Sequence, residues 1–183
     1  MRFRSLLILP ILAAAVRAAP IAADPARSSV DIAVKATVGS FVAHLRDFEA
    51  SMEISPGPAE ATAAAFRFRF SSISTGNAQR DRDMNDWQQS DRYPTAVFTL
   101  TSLERTAGGG TIAHGMLLLH GVGRPLSFPV SLQLGPDSIA VTGDLVIDTR
   151  DFALPVIRKF VVLKVDPVVR VHFHIQGGRP SSP

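Results

Sequence analysis

Residues 66–70 read Phe66-Arg67-Phe68-Arg69-Phe70, and their strict alternation decides the fold class. Successive side chains of an extended chain point to opposite faces, so three phenylalanines share one side and two arginines the other. One side is buried and the other wet. That is the pattern of a strand in an antiparallel sheet with a single apolar face.

The same period recurs on both sides of this segment. Upstream, Val30, Ile32 and Val34 oppose Asp31 and Lys35, and a second run carries Phe48, Ala50, Met52 and Ile54 before Pro56-Gly57-Pro58. Downstream, Tyr93-Pro94 forces an extended entry into a run with Phe98 and Leu100, closed by Gly108 to Gly110. Thr111 to Leu119 is apolar on both faces, with Leu117 and Leu119 on one and Ile112, Met116 and Leu118 on the other. Further runs pass through Leu126, Phe128, Val130, Leu132 and Leu134, then Ile139, Val141, Leu145 and Ile147. An eighth passes through Leu163 and Val165, is kinked at Asp166-Pro167, and resumes with Val169, Val171, Phe173 and Ile175.

Only one segment breaks the period of two. Asn77 has the chemistry of a helix cap, and Met84 and Trp87 lie three residues apart on one helical face, so a short helical insertion is expected around residues 77–90. Eight meandering strands either split into a sandwich or close into a barrel, and closure removes exposed edges. A closed barrel of eight strands has room for about one small ligand.

The N-terminus has a different chemistry. Arg2 and Arg4 precede an apolar stretch from Leu6 to Val16, with small residues at Ala18 and Ala19. These are the parts of a secretory signal peptide, with cleavage expected after Ala18 and delivery to the periplasm. The apolar stretch is too short for a bilayer span, which takes about 20 residues, so no stable membrane anchor is expected. Removing residues 1–18 takes three arginines from the 19 basic residues and no acid, leaving 16 against 16. A basic footprint for nucleic acid is therefore missing. The chain has no cysteine, so its stability must come from a core rather than from disulfides. The tail over residues 177–183, beginning at Gly177-Gly178, is expected to be disordered.

Several short motifs occur together in a fixed order. Ser74-Thr75-Gly76-Asn77 with Arg80-Asp81 is followed by Met84, Tyr93-Pro94 and Phe98. Val34-Lys35-Ala36-Thr37 with Ser40-Phe41 precedes them, and Gly115 to Gly121 and Asp148 to Leu154 follow. This arrangement resembles the YceI-like family of polyisoprenoid-binding proteins over roughly residues 28–176. The resemblance implies a lipocalin-like barrel, export, an isoprenoid-type lipid of the polyprenol or quinone class inside it, and often a homodimer. Two positions depart from the family's pattern: Gly39, where many relatives carry a histidine, and Met116 with Leu118, where polar residues are usual. The second departure marks a candidate dimer surface.

Candidate ligand-binding residues are the inward apolar positions Phe48, Phe66, Phe68, Phe98, Leu117, Leu119, Phe128, Val141 and Phe173, joined by Met84 and Trp87. The same stripes would also fill a solid core. Arg80, Asp81 and Asp83 are candidates for a lid over a polar head group, or for a solvated helix start. No catalytic residues are assigned, because no G-x-S-x-G elbow, cysteine nucleophile or H-E-x-x-H helix is present. His172 with His174, and His114 with His120, share strand faces by parity. They lack acidic partners at ligand spacing, and zinc takes three or four ligands. No metal and no cofactor is expected, and these histidines are expected to face solvent. The rival functions are an enzyme acting on an amphiphile in the same barrel, and a structural envelope module whose barrel is filled.

Overall fold

The computed structural model describes residues 21–37, 39–54, 61–135, 138–159 and 163–178. The expected signal peptide over residues 1–18 and the last five residues of the expected tail lie outside them.

Eight strands follow one another as an up-and-down meander. β1 has two segments, Ile21–Ala23 and Ser29–Val34, separated by a 3-10 turn at Pro25–Arg27. β2 is likewise split into Phe41–Leu45 and Phe48–Ile54. β3 is Ala61–Arg69 and, beyond the 3-10 turn Phe70–Ser72, Ile73–Ser74. After helix α1 (Ala78–Gln88) come β4 (Thr95–Arg105), β5 (Thr111–Leu119), β6 (Val122–Leu134), β7 (Ser138–Asp148) and β8 (Val168–Gly178). Each pairs antiparallel with the next, and β8 pairs with β1, closing the barrel. Phe41–Leu45 is a strand outside the runs marked by alternation, because Val42 and His44 leave only a weak alternation on a short segment.

Closure depends on a close approach at the end of β8. Ala22 and Ala23 pair with Gly178 and Gly177, and a Cβ at position 177 would lie 2.2 Å from the Ala22 carbonyl oxygen. Glycine here admits a neighbouring backbone and does not loosen a tail. The expectation of disorder from Gly177 is thus corrected: Gly177 and Gly178 belong to the sheet, and the barrel runs from Ile21 to Gly178, beyond both ends of the expected 28–176 span.

The eighth run also differs from its reading. Leu163–Lys164 pairs with Arg158–Lys159 in a separate small hairpin, and Val165 bridges to Ala36. The barrel strand begins only at Val168, after Asp166 accepts a hydrogen bond from the Val168 amide (2.9 Å) and Pro167 ends the preceding pairing.

Helix α1 starts where its cap chemistry places it. The Asn77 side chain accepts from the Gln79 and Arg80 amides, both at 3.0 Å, which satisfies two donors with no partner inside the helix. It ends at Gln89, which is left-handed (φ 54°). Gln88 is fully buried and its amide donates to the Tyr93 carbonyl at 3.0 Å. The helix is thereby fastened to the start of β4. Among the described residues no helix is long and apolar enough to cross a membrane.

The β5–β6 turn holds His120 (φ 50°) and Gly121 (φ 73°), the two positive dihedrals of a tight hairpin turn. His120 therefore does not share a strand face with His114. Its Nδ1 meets the Phe152 carbonyl at 3.0 Å, its ring packs against Tyr93, and its Nε2 is buried, which corrects the solvent-facing expectation. His114 faces outward, between Glu104 and Ser127.

Candidate functional site

The barrel encloses a cavity of about 760 Å³ running along its length. Alternation on every strand puts the aliphatic and aromatic residues inside, and two features of the sequence keep that interior from filling. Small side chains occupy inward positions at Ala43, Ala50, Ala64, Ala96 and Ala113. Two further inward positions carry no side chain at all: a Cβ on Gly115 would lie 2.3 Å from Phe98 Cζ, and one on Gly143 2.6 Å from Phe173 Cζ. The Phe98 and Phe173 rings lie over these glycines.

The aromatic rings form two connected groups. Phe48, Phe66, Phe68 and Phe70 follow one another with centroids 5.1, 6.0 and 5.6 Å apart. Phe98 and Phe128 are 5.4 Å apart, and Phe128 meets Phe173 edge-on at 6.0 Å. The second group bridges β4, β6 and β8, skipping β5 and β7 at the two glycines. At the far end Ile21 and Ile139 pack with Met52, Leu134 and Val141, closing the floor.

Apart from Ser51 near the floor, the polar side chains on the wall gather at the other end, the mouth, at Ser40, Thr75, Arg80, Asp83, Thr149 and Asp166. α1 spans this end. The Arg80 guanidinium lies 4.0 Å from the centroid of Phe41, and the Trp87 indole donates to the Pro155 carbonyl at 2.8 Å, joining the helix to the β7–β8 connection. Asp148 caps the 3-10 turn Thr149–Phe152 through the Arg150 amide (3.0 Å). The Arg150 guanidinium beside it holds the Asp148 carboxyl below the usual carboxylate range.

Of the residues expected to contact ligand, Phe66, Phe68, Met84, Trp87, Phe98, Leu117, Leu119, Phe128, Val141 and Phe173 all line the cavity. Phe48 does not; its ring is buried against Phe66. Among the lid candidates, Arg80 and Asp83 face the cavity, whereas the Asp81 carboxylate is occupied by the Thr75 amide (2.8 Å) and hydroxyl (2.5 Å). Asp81 thus fixes the turn into α1. Reading the sequence missed the segment Leu154 to Ile157 and Val165 to Pro167, which completes the mouth. Leu154 to Ile157 has no periodicity to reveal it, and Val165 shares the period of the strand that follows, which hides its place at the mouth. The inward alanines and glycines were legible as gaps in the apolar stripes. No group of three or more metal-ligating side chains occurs among the described residues.

The YceI-like domain family model matches residues 22–177. Among solved structures, the fold is similar to BcnA of Burkholderia cenocepacia, with TM-score 0.72 and 20% identity over 84% of this chain and 98% of that one. A polyisoprenoid binding domain from Saccharophagus degradans, described as implicated in plant cell wall breakdown, gives 0.71 and 20% over 87% and 98%. The YCEI protein of Campylobacter jejuni gives 0.62 and 17% over 76% and 85%. No curated protein matches the chain.

Proposed function

The chain belongs to the YceI-like domain family, and from that membership and its cavity we propose that it holds one long apolar isoprenoid, of the polyprenol or quinone type, inside the barrel, without transforming it. The observation that carries this reading is an apolar cavity of about 760 Å³ with its polar groups gathered at one end. That is the shape of a site for a chain with a single polar head. The Saccharophagus degradans neighbour, described as a polyisoprenoid binding domain, supports the same class of ligand.

Taking about 30 Å³ per water-sized group, the cavity holds roughly 25 carbon-sized groups, or about five isoprene units. At about 0.8 kcal/mol per methylene, the gross driving force is near 20 kcal/mol. Nanomolar affinity requires only about 12 kcal/mol. Ordering losses can therefore be met without many polar contacts. Chain length, more than head group, sets the selectivity.

Several features support carriage over catalysis. Among the described residues, no histidine or cysteine lines the cavity, and its two carboxylates, Asp83 and Asp166, sit at the mouth and not at the depth of a buried chain. The signal-like N-terminus supports export to the periplasm, and exposed Met116 and Leu118 support a homodimer through β5. Sedimentation showing only monomer at micromolar concentration would remove the dimer.

The test is solvent extraction and mass spectrometry of protein purified from its own host, followed by titration with prenols of two to ten isoprene units. A copurifying prenyl lipid and tightest binding near five units are expected. An empty extract with no length dependence would refute the proposal.

A further inference from the structure

We propose that the outer face of β7, β8, β1 and β2 beside the mouth docks onto an anionic lipid surface, so that the cavity opens where an apolar chain can enter or leave. This rests on the isoprenoid reading for its purpose, but the surface itself stands on separate observations.

Strand register brings four residues into one lateral row. Val42 pairs with Ala33, Ala33 with Arg170, and Arg170 with Val146. All four are exposed, and the two end valines are among the few large hydrophobic residues left in solvent, at 45% and 53% of their surface. An exposed valine on an outward strand position is ordinary; two of them flanking an arginine next to a lipid cavity are a surface with both components of interfacial binding.

The charges around the row point to the sign of the partner. Toward the rim lie Lys35, at the end of β1, and the small hairpin with Arg158 and Lys164, fastened there by the Thr37 amide on the Lys164 carbonyl (3.0 Å). With Arg150 and Arg170 these make five cations against three carboxylates, Asp148, Asp151 and Asp166. Asp148 is paired with Arg150, and Asp166 is engaged by the Val168 amide. One row further from the rim, His44, Asp31, His172 and Asp144 are in register across the same four strands, with each aspartate bonded to a histidine (2.7 and 2.9 Å). The excess of cations is therefore confined to the mouth side of the face, although the chain without residues 1–18 has as many acids as bases.

Chemistry explains why such a surface belongs here. A prenyl chain leaving the cavity through water would expose apolar carbon at about a fourfold penalty per methylene. A mouth held against a bilayer spares that exposure. An anionic leaflet attracts each nearby Lys or Arg by about fivefold in partitioning, enough for reversible docking and far short of an anchor.

The experiment is flotation of the purified protein with vesicles of phosphatidylcholine alone or of phosphatidylcholine mixed with anionic phosphatidylglycerol, at low and high salt. Binding to the anionic vesicles is expected to exceed that to neutral ones at least tenfold and to fall with salt. Lys35→Glu with Arg170→Glu should lower it at least tenfold, and Val42→Ser with Val146→Ser severalfold. Arg67→Glu with Arg105→Glu, the same charge change elsewhere on the barrel, should leave it within twofold. Prenol uptake from solution should be unchanged in every variant. Equal binding to both vesicle types, or equal loss in the two charge-reversed pairs, would overturn the docking surface. A protein that floats as expected but takes up no prenol would keep the surface and refute the isoprenoid reading instead.

Discussion

Replacing Gly143 with alanine separates a hollow barrel from a filled one. The new Cβ would lie 2.6 and 2.8 Å from Cζ and Cε1 of Phe173 and 3.1 Å from the Pro129 carbonyl oxygen. Carbon contacts relax near 3.5 Å, so the ring edge must withdraw by about 1 Å. It can do so only into the cavity, giving up part of its edge contact with Phe128. Overpacking costs about 1–3 kcal/mol, and free space for the ring puts this case near 1 kcal/mol, or about 2–4 °C in Tm for a domain of this size. Gly115 offers the comparison, because there the new Cβ also meets the Thr99 carbonyl oxygen at 2.5 Å. Backbone cannot swing aside, and Gly115→Ala should cost about 2–3 kcal/mol.

Ligand binding should show the opposite weighting for Gly143→Ala. A ring pushed inward displaces one or two methylenes of ligand, about 1–1.5 kcal/mol, which is five- to tenfold in Kd. Thermal unfolding followed by circular dichroism, with titration by geranylgeraniol, reads both quantities. If Gly143→Ala destabilises as much as Gly115→Ala, or leaves prenol binding unchanged, the ring had no cavity to enter and the reasoning fails.

Asn77→Ala should remove about 1 kcal/mol of local stability from α1, seen as faster hydrogen exchange of the α1 amides with little change in the barrel strands. Asp148→Asn keeps a capping acceptor but loses the charge beside Arg150. The folded carboxyl is held below its ordinary value of 3.8, so its contribution is present above that pH and is lost as pH falls through the folded value. The variant should unfold earlier than the parent at pH 6, with the gap closing below about pH 4; a gap independent of pH would refute the ion pair's role. Arg80→Ala removes the guanidinium resting on Phe41 and should speed release of a loaded prenol severalfold by about the strength of one cation–π contact; an unchanged off-rate would make Arg80 a solvated helix residue and not part of the mouth.

Much of the fold could be read because period two survives wherever a strand has one wet face. Phe66-Arg67-Phe68-Arg69, Ser138–Asp148 and most of β6 are of this kind, and all form strands. The helix was readable from a local signal, the Asn77 cap. The features hidden from the local pattern are those that depend on contacts distant in sequence. Leu163 and Val165 continue the apolar pattern of Val169 to Ile175, yet they serve a hairpin pinned against the end of β1. Asp81 and Asp83, two residues apart, have different tasks, because Thr75 claims the first. Phe48 obeys the inward period, yet its ring packs against Phe66 and forms no part of the cavity wall.

The sequence by itself determined that the chain is a meander of eight one-sided strands with one capped helix, since alternation and capping act between residues close along the chain. It also determined that the interior is apolar, and its ordered motifs identified the family. Tertiary structure alone decided that the interior is a cavity and where it opens. A strand shows which residues face inward but not how much space they share. That space depends on the Phe98 and Phe173 rings lying over glycines of neighbouring strands, on alanines at inward positions of the wall, and on β8 meeting β1 at Gly177 to complete it.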